Sequence, residues 1–218
     1  MNAVYVSSKK DLELLLERIK RFHSPKRYLE QYETPPSIVA HILWKAFMNG
    51  DILGKTVAEL GCGVARFSLG SLMLGAEKVL CIDIDNDILR YASSALEREF
   101  KPLSNRIVYM ASDIRDLNMQ SIDTIIMNPP FGVVKRNRGL DMVFLRKALQ
   151  VSPAIYTIHK YSKQLDSIVL SITSKLGYRI TYQEMLDFPI PMMFVTHRRR
   201  IYRVKSVFYV IKRGVYRS

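Results

Sequence analysis

The chain has 218 residues, of which 48% are hydrophobic and 24% are charged, so it can bury one sizeable core and is not typical of a disordered protein. No apolar run approaches the roughly 18 residues of a membrane span, and the first residues lack the apolar core of a signal peptide, so the sequence predicts a cytoplasmic protein without a membrane anchor. The formal net charge of +13 favours a polyanionic partner, with a membrane surface or a merely solvated face as alternatives.

The first 50 residues predict a helical extension. Apolar side chains recur at helical spacing over residues 8–22, and Ser7 or Ser8 is placed to cap that helix. Thr34 and the two prolines after it predict the start of a second helix, with Thr34 as N-cap and a proline in the first turn.

From residue 56 onwards, short apolar strands alternate with helices. The predicted strands cover residues 56–60, 78–82, 106–110, 122–127 and 154–158. The predicted helices between and after them cover residues 66–74, 85–100, 141–149 and 162–176. Such alternation is typical of a parallel sheet with helices on both faces.

Two further strands are predicted near residues 178–186 and 202–211, joined by a segment that contains Pro189 and Pro191. Consecutive strands without a helix between them indicate an antiparallel hairpin. The sequence therefore predicts an α/β fold with a Rossmann-like, seven-stranded, mostly parallel sheet and a C-terminal antiparallel hairpin. We expect residues 1–218 to form a single domain.

The two cysteines, Cys62 and Cys81, both fall inside predicted core segments and form no C-x-x-C pair. This spacing favours small buried hydrophobic side chains over a disulfide framework or a cysteine-built metal centre. No metal site is predicted.

Polar and glycine residues follow the first three predicted strands, where an open parallel sheet binds its ligands. The first strand runs into Gly61-Cys62-Gly63, and glycines there let a ligand approach the backbone closely. Asp83 closes the second strand about 20 residues later, where a carboxylate can accept hydrogen bonds from ribose hydroxyls. Asp113 follows the third strand and can reach an adenine amine. Together these residues predict a nucleoside site.

The third glycine of the dinucleotide fingerprint is missing, because Arg66 occupies its position. A pyrophosphate needs a small residue there. S-adenosylmethionine carries no phosphate, so the pattern favours S-adenosylmethionine over a dinucleotide. Gly61 and Gly63 alone would be weak evidence, since tight turns also use glycine for structural reasons.

The strongest motif is Asn128-Pro129-Pro130-Phe131, at the end of the fourth strand. Asn128 offers an amide oxygen and Pro129 a carbonyl, and the two prolines stiffen the backbone that holds these acceptors. Phe131 offers a flat face for a planar group. Two acceptors on the hydrogens of a conjugated amine direct its lone pair out of the ring, so no general base is required.

The same acceptors suit a nucleobase amine or a glutamine carboxamide. The motif therefore leaves adenine-N6, guanine-N2 and protein glutamine methylation open, beside a non-enzymatic RNA-binding module. Basic chain ends favour nucleic acid, since no acidic residue follows Asp187. A nucleobase target would have to leave its stack to enter the site.

Three basic groups are candidates for RNA contact. They are the loop residues Lys135, Arg136 and Arg138, the strand-end pair His159 and Lys160, and the hairpin residues His197, Arg198, Arg199 and Arg200. Each group has a structural alternative: the loop can be solvated, the His159 pair can cap the strand end, and the hairpin run can be solvated.

Several longer stretches carry a family resemblance. They are Leu29-Glu30-Gln31-Tyr32-Glu33-Thr34, Glu59-Leu60-Gly61-Cys62-Gly63, Met73-Leu74-Gly75-Ala76, Asp83-Ile84-Asp85, the strand through Asn128-Pro129-Pro130-Phe131-Gly132, Asp141-Met142-x-Phe144-Leu145 and His159-Lys160. With them the chain resembles the methyltransferase-like protein five family of ribosomal RNA adenine-N6 methyltransferases, within the class I S-adenosylmethionine-dependent enzymes. The likeness extends over about residues 25–200.

The resemblance implies roles for particular residues. The expected cofactor contacts are Gln31, Tyr32, Thr34, Glu59, Gly61, Cys62, Gly63, Val64, Asp83, Ile84, Asp113 and Ile114. Asn128 to Phe131 would hold the target amine. Ala65 and Arg66 depart from the family pattern, so Arg66 can support the loop instead of touching a ligand.

The resemblance also implies structured RNA as the substrate, with small-subunit ribosomal RNA as the expected source of the target adenine. It further implies a partner, a small zinc-binding activator subunit that would pair with a sheet edge and form a heterodimer.

Overall fold

The computed structural model describes residues 6–191 and 201–214. Its helices within those residues are α1 (Lys9–Glu17), α2 (Pro36–Met48), α3 (Arg66–Met73), α4 (Asn86–Ser104), α5 (Leu140–Val151) and α6 (Leu165–Lys175). Its strands are β1 (Thr56–Leu60), β2 (Lys78–Asp83), β3 (Ile107–Ala111), β4 (Thr124–Met127), β5 (Ala154–Lys160), β6 (Tyr178–Pro191) and β7 (Ile201–Arg213). None of the helices in the described ranges has the length and apolar character of a membrane span.

The strands form one sheet in the order β3-β2-β1-β4-β5-β7-β6. The first five strands in that order pair in parallel, whereas β7 pairs antiparallel with both β5 and β6. The predicted fold class is therefore confirmed. Strand order reverses at β1, which lies between β2 and β4, and such a switch point opens a crevice at the carboxyl ends of the strands.

Two apolar layers cover the faces of this sheet. Buried side chains of α1, α2, α3 and α4 form one layer, which the N-terminal Leu12 and Leu16 share with Val57 of β1 and Val79 of β2. Buried side chains of α5 and α6 form the other layer, against residues such as Ile125 of β4. The N-terminal helices thus belong to the same core as the sheet.

Side-chain caps fix where two helices begin. The Ser8 hydroxyl accepts a hydrogen bond from the Asp11 amide at 3.1 Å, and the Asp85 carboxylate accepts one from the Asp87 amide at 3.0 Å. Both caps satisfy amides that the first helical turn leaves unpaired. Helix α4 runs past its predicted end through a non-helical Phe100, with Pro102 inside the helix. Proline removes a backbone donor, which accounts for the kink there.

Two local predictions are wrong. Thr34 is not the N-cap of α2; Pro35 occupies that position without a side-chain cap, and the Thr34 hydroxyl bonds to Asn128. Pro189 and Pro191 do not join two strands but lie within β6. A proline lacks a backbone donor, and β6 tolerates this because it is an edge strand of the sheet.

Candidate active site

A cleft opens at the carboxyl ends of β1, β2 and β4, at the switch point of the sheet. Every predicted cofactor residue lines it: Gln31, Tyr32, Thr34, Glu59, Gly61, Cys62, Gly63, Val64, Asp83, Ile84, Asp113 and Ile114. Asn128, Pro130 and Arg136 line the same cleft. The structure therefore brings the predicted nucleoside residues and the predicted amine-binding residues to one place.

The turn after β1 forms the floor of the cleft. Gly61 and Gly63 have φ angles of 70° and 52°, which a residue with a Cβ adopts only at a cost. A Cβ on Gly61 would also lie 3.5 Å from the Phe144 ring. The two glycines therefore keep the backbone turn exposed to a ligand.

Asp83 holds this turn in place. Its carboxylate accepts hydrogen bonds from the Gly63 amide at 2.9 Å and from the Asp85 amide at 3.0 Å. Burial raises the pKa of Asp83 above its ordinary value, and these amides partly offset that effect. Each carboxylate oxygen has a further lone pair, so the group can still accept hydrogen bonds from a ligand.

The prediction for the cysteines is wrong. Cys62 in the turn and Cys81 on β2 are joined by a disulfide, with their Cα atoms 5.4 Å apart. The pairing is possible because β1 and β2 are neighbouring parallel strands with Glu59 opposite Cys81. Both cysteines are buried, as expected, but they are not separate hydrophobic side chains.

Glu59 lies at the end of β1, below the turn. One of its carboxylate oxygens accepts hydrogen bonds from the Ser68 amide at 2.7 Å and from the Ser68 hydroxyl at 2.6 Å, which fixes the start of α3. The side chain is 4% exposed, and burial raises its pKa from 4.5 to about 8, although the Ser68 bonds act in the opposite direction.

This raised pKa predicts a pH dependence of stability. The unfolded chain releases the Glu59 proton near pH 4.5, whereas the folded protein keeps it up to about pH 8, so between those values the folded state binds more protons. The Glu59 contribution to the free energy of unfolding should therefore be complete below pH 4.5 and be lost as the pH rises through 8, with a limiting slope of about 1.4 kcal/mol per pH unit.

Urea unfolding of wild type and Glu59→Gln at several pH values checks this expectation. Glutamine keeps an acceptor for Ser68 but cannot ionise, so the difference between the two proteins isolates the Glu59 carboxyl. We expect the wild type to lose stability relative to Glu59→Gln as the pH increases. Parallel pH profiles would show that Glu59 does not titrate in this range.

Asn128 follows β4 on the opposite wall of the cleft. Its Nδ2 donates a hydrogen bond to the Thr34 hydroxyl at 3.0 Å. Its Oδ1 is shielded from solvent and has no hydrogen-bond partner among the described residues. A buried acceptor without a partner is costly, and such a cost is typical of sites that pair with a ligand. The bond to Thr34 therefore fixes the amide with its acceptor free.

Thr34→Val tests this orientation. Valine removes the hydroxyl and leaves the Asn128 amide free to rotate, so we expect kcat to fall about tenfold. The dissociation constant of the cofactor should change much less. Thr34→Ser keeps the hydroxyl and should retain activity near wild type. Equal kcat values for the valine and serine variants would contradict the positioning role of Thr34.

Residues 26–34, called here the N-terminal strap, cover one side of the cleft. Gln31 is bonded at both ends of its amide: Oε1 accepts from the Lys26 amide at 2.6 Å, and Nε2 donates to Asp85 at 2.8 Å. The Lys26 ammonium also contacts Asp85, at 2.6 Å, and this contact raises the pKa of Lys26. Gln31 lines the cleft, but its polar atoms serve to attach the strap to the β2–α4 turn.

A second attachment joins the strap to α3. Glu33 forms an ion pair with Arg66 at 2.8 Å and accepts a hydrogen bond from the Phe22 amide at 2.8 Å. Arg66 also donates to the Ile19 carbonyl at 2.9 Å and is 6% exposed. Arg66 is therefore a support for the strap and the N-terminal helices.

A third attachment joins the strap to the loop after the amine-binding motif. Glu30, which is 5% exposed, accepts hydrogen bonds from the Val134 amide at 2.8 Å and from the Asn137 side chain at 3.1 Å. Asn137 Nδ2 also donates to the Tyr28 carbonyl at 2.9 Å. The strap thus connects the cofactor side of the cleft to the basic loop.

Comparisons with known proteins identify relatives of this chain. The profile of the family described as "Methyltransferase small domain" matches residues 38–151. The rRNA N(6)-adenosine-methyltransferase METTL5 of Danio rerio is 37% identical over 155 residues, covering 70% of this chain and 74% of the relative. The chain therefore belongs to the methyltransferase-like protein five family.

Two further relatives cover nearly all of the chain. Protein MJ0284 of Methanocaldococcus jannaschii is 33% identical over 94% of both chains. The crystal structure of PH1948 from Pyrococcus horikoshii, described as a candidate RNA methyltransferase, has a TM-score of 0.85 and 31% identity, covering 96% of this chain and 100% of the other. The predicted family is confirmed. The chain is an S-adenosylmethionine-dependent methyltransferase with a Rossmann-like fold.

The amine-binding motif contributes Asn128 and Pro130 to the cleft lining. Pro129 and Phe131 are not among the residues that line the cleft. Phe131 is 9% exposed, and its ring packs edge-on against Phe188 with 5.3 Å between centroids. The stacking role of Phe131 therefore stays a prediction.

The predicted RNA contacts divide into three groups. Lys135, Arg136, Arg138 and Lys160 are exposed, as an RNA-binding surface requires. The contact predicted for His159 is wrong, because the side chain is fully buried and bonded to Thr157 at 2.9 Å and Asp141 at 3.2 Å. The segment His197-Arg198-Arg199-Arg200 lies outside the described residues.

Glu30, Asn137 and Phe144 line the cleft, but the motifs did not assign them a role. Glu30 has a φ of 54°, a rare conformation for a residue with a Cβ. Glu30 and Phe144 fall inside stretches that carry the family resemblance, and that resemblance could have indicated that they belong to the site. Asn137 had no such signal, because its partner Glu30 lies 107 residues earlier in the chain.

Proposed function

We propose that this methyltransferase transfers a methyl group to the exocyclic N6 of an adenine in structured ribosomal RNA, with small-subunit RNA as the expected substrate. One observation carries the proposal: Oδ1 of Asn128 lies beside the nucleoside cleft and has no hydrogen-bond partner in the part of the chain that the structure describes. The METTL5 relative, named for rRNA N6-adenosine methylation, supports adenine as the target.

The cleft residues fit S-adenosylmethionine, which supplies the methyl group as an activated electrophile. Asp83 would accept hydrogen bonds from the ribose hydroxyls. Ile84 is 51% exposed although it is a large apolar residue, and with buried Ile114 it offers apolar surface to an adenine ring. Asp113 would accept from the adenine amine, and Gly61 and Gly63 allow the ligand to approach the turn closely.

Asn128 and Pro129 would then hold the target amine. Oδ1 of Asn128 accepts from one amine hydrogen, and the carbonyl of Pro129 accepts from the other. These contacts would draw the nitrogen lone pair out of conjugation with the ring. The new N–C bond could then form as the bond between the methyl carbon and the cofactor sulfur breaks, with S-adenosylhomocysteine as the leaving group. The displaced proton passes to solvent after transfer, and the fixed acceptors supply electrostatic stabilisation in place of a general base.

RNA would reach the cleft across the exposed basic residues Lys135, Arg136, Arg138 and Lys160, with His197 to Arg200 as further proposed contacts. Lys and Arg neutralise phosphates and release counterions, so binding should weaken steeply with salt. A target adenine inside a helix must first leave its stack.

Methyl transfer with purified components tests the proposal. Purified protein, labelled S-adenosylmethionine and ribosomal RNA should yield labelled RNA, and nuclease digestion should release N6-methyladenosine. Release of labelled N2-methylguanosine would instead identify guanine as the target base. Label that resists nuclease and is removed by protease would instead indicate glutamine methylation.

A zinc-binding activator subunit is proposed as partner, on the family resemblance. The described sheet has two outer strands, β3 and β6, and β3 exposes Val108 at 41%. An added strand on the β3 edge would cover this apolar side chain. Coexpression that changes neither solubility nor activity would contradict the pairing.

We also propose that the enzyme acts in the cytoplasm, where its ribosomal substrate would be found.

A further inference from the structure

Tyr28 and Arg136 form an exposed contact at the rim of the cleft. Tyr28 is 47% exposed although its ring is large and aromatic. The guanidinium carbon of Arg136 lies 5.1 Å from the centroid of that ring, within the range of a cation–π contact. We call this pair the rim stack. Proteins bind single-stranded nucleic acid by stacking its bases on exposed aromatic rings and on arginine guanidinium groups.

Buried hydrogen bonds hold both sides of the rim stack. Tyr28 lies in the 3₁₀ turn Arg27–Leu29, and Arg136 lies in the 3₁₀ turn Lys135–Asn137. Asn137 is 5% exposed and bonds to the Tyr28 carbonyl and to Glu30, which joins the two turns. The exposed pair is therefore held in place before any ligand binds, which lowers the entropic cost of binding.

The rim stack is next to the proposed target site. Leu29 and Glu30 follow Tyr28 in the strap, and both line the cleft together with Arg136 and Asn128. When a base leaves its stack to reach Asn128, the neighbouring nucleotide loses a stacking partner. An aromatic face at the rim can replace that partner, and the Arg136 guanidinium can contact the adjoining phosphate.

We propose that the rim stack is a binding site for a nucleotide that flanks the target adenine in single-stranded RNA. The inference rests on the proposed RNA substrate and adds a subsite at the rim of the cleft, separate from the amine-binding motif. The site recognises a base by its planar face, so it favours an unpaired flanking nucleotide without reading its identity.

Two short oligoribonucleotides test the subsite, each with one central adenine among uridines and with 2-aminopurine placed immediately before or after it. They are added to protein saturated with S-adenosylhomocysteine, so no turnover is needed. Stacking quenches 2-aminopurine, and we expect quenching with at least one probe. Tyr28→Ala should abolish the quenching and weaken binding about tenfold, whereas Tyr28→Phe should retain both.

Arg136→Lys keeps the charge but loses the guanidinium plane, so it should lower the quenching more than the affinity. Binding of S-adenosylhomocysteine and the thermal unfolding of Tyr28→Ala and Tyr28→Phe should match wild type, since Tyr28 is not among the residues that line the cleft. Wild-type protein that quenches neither probe, or Tyr28→Ala that quenches like wild type, overturns the rim stack. Methyl transfer to RNA by wild type is scored separately, so failure of the proposed function is distinguishable from failure of this subsite.

Discussion

Replacing Asn128 with alanine is expected to lower kcat for methyl transfer about 10²- to 10³-fold, the usual effect of removing one fixed polar group from the transition state. The reason is that Oδ1 of Asn128 has no partner among the described residues and is available to the target amine. Cofactor affinity should change little, because Asp83 and the glycine turn hold the nucleoside side of the cleft. Single-turnover kinetics and calorimetric titration with S-adenosylhomocysteine measure the two effects.

Asn128→Asp is the matched control for this experiment. Aspartate keeps an acceptor oxygen of the same shape, and the Thr34 hydroxyl can donate to it instead of accepting, so we expect more activity than in Asn128→Ala. An alanine variant that keeps kcat within about threefold of wild type would contradict the role of Asn128.

Asp83→Ala is expected to raise the dissociation constant of the cofactor by about 100-fold or more, because hydrogen bonds to a charged group contribute roughly 1.5–3 kcal/mol each. The substitution removes the acceptor for the Gly63 and Asp85 amides together with the proposed contact to ribose. Titration with S-adenosylhomocysteine measures the loss directly, without any need for RNA.

Asp116→Ala serves as the control, since Asp116 is an exposed carboxylate beyond β3 with no role in the cleft. Its cofactor affinity should equal that of wild type. If Asp83→Ala folds normally and binds the cofactor within threefold of wild type, the nucleoside site does not depend on Asp83.

Much of this site could be predicted from the sequence because its parts are local. Glycines and acids at the ends of successive strands meet at one edge of a parallel sheet whatever the details of packing. For this reason Gly61, Asp83, Asp113 and Asn128 could be assigned to one cleft from their spacing alone. The hairpin at the C-terminus was equally local, since two strands followed each other without a helix.

The remaining features depend on contacts between distant parts of the chain. Thr34 has the sequence of a helix cap, yet its hydroxyl bonds to Asn128, 94 residues later. The Cys62–Cys81 disulfide depends on the pairing of β1 and β2 and matches no cysteine spacing motif. His159 follows a strand-end pattern typical of ligand contact, but Asp141 and Thr157 bury and pair it. Local sequence patterns could not show which bonding partner each of these side chains would have in the folded protein.

The proposed role of Asn128 is that its Oδ1, which has no partner among the described residues, acts on the N6 amine of adenine in ribosomal RNA. Mass spectrometry of nucleosides from ribosomal RNA, isolated from cells with and without this gene, tests it most directly. We predict that N6-methyladenosine in small-subunit RNA is lost without the gene and restored by the wild-type gene, but not by the Asn128→Ala form. An unchanged N6-methyladenosine level in the absence of the gene would contradict the claim.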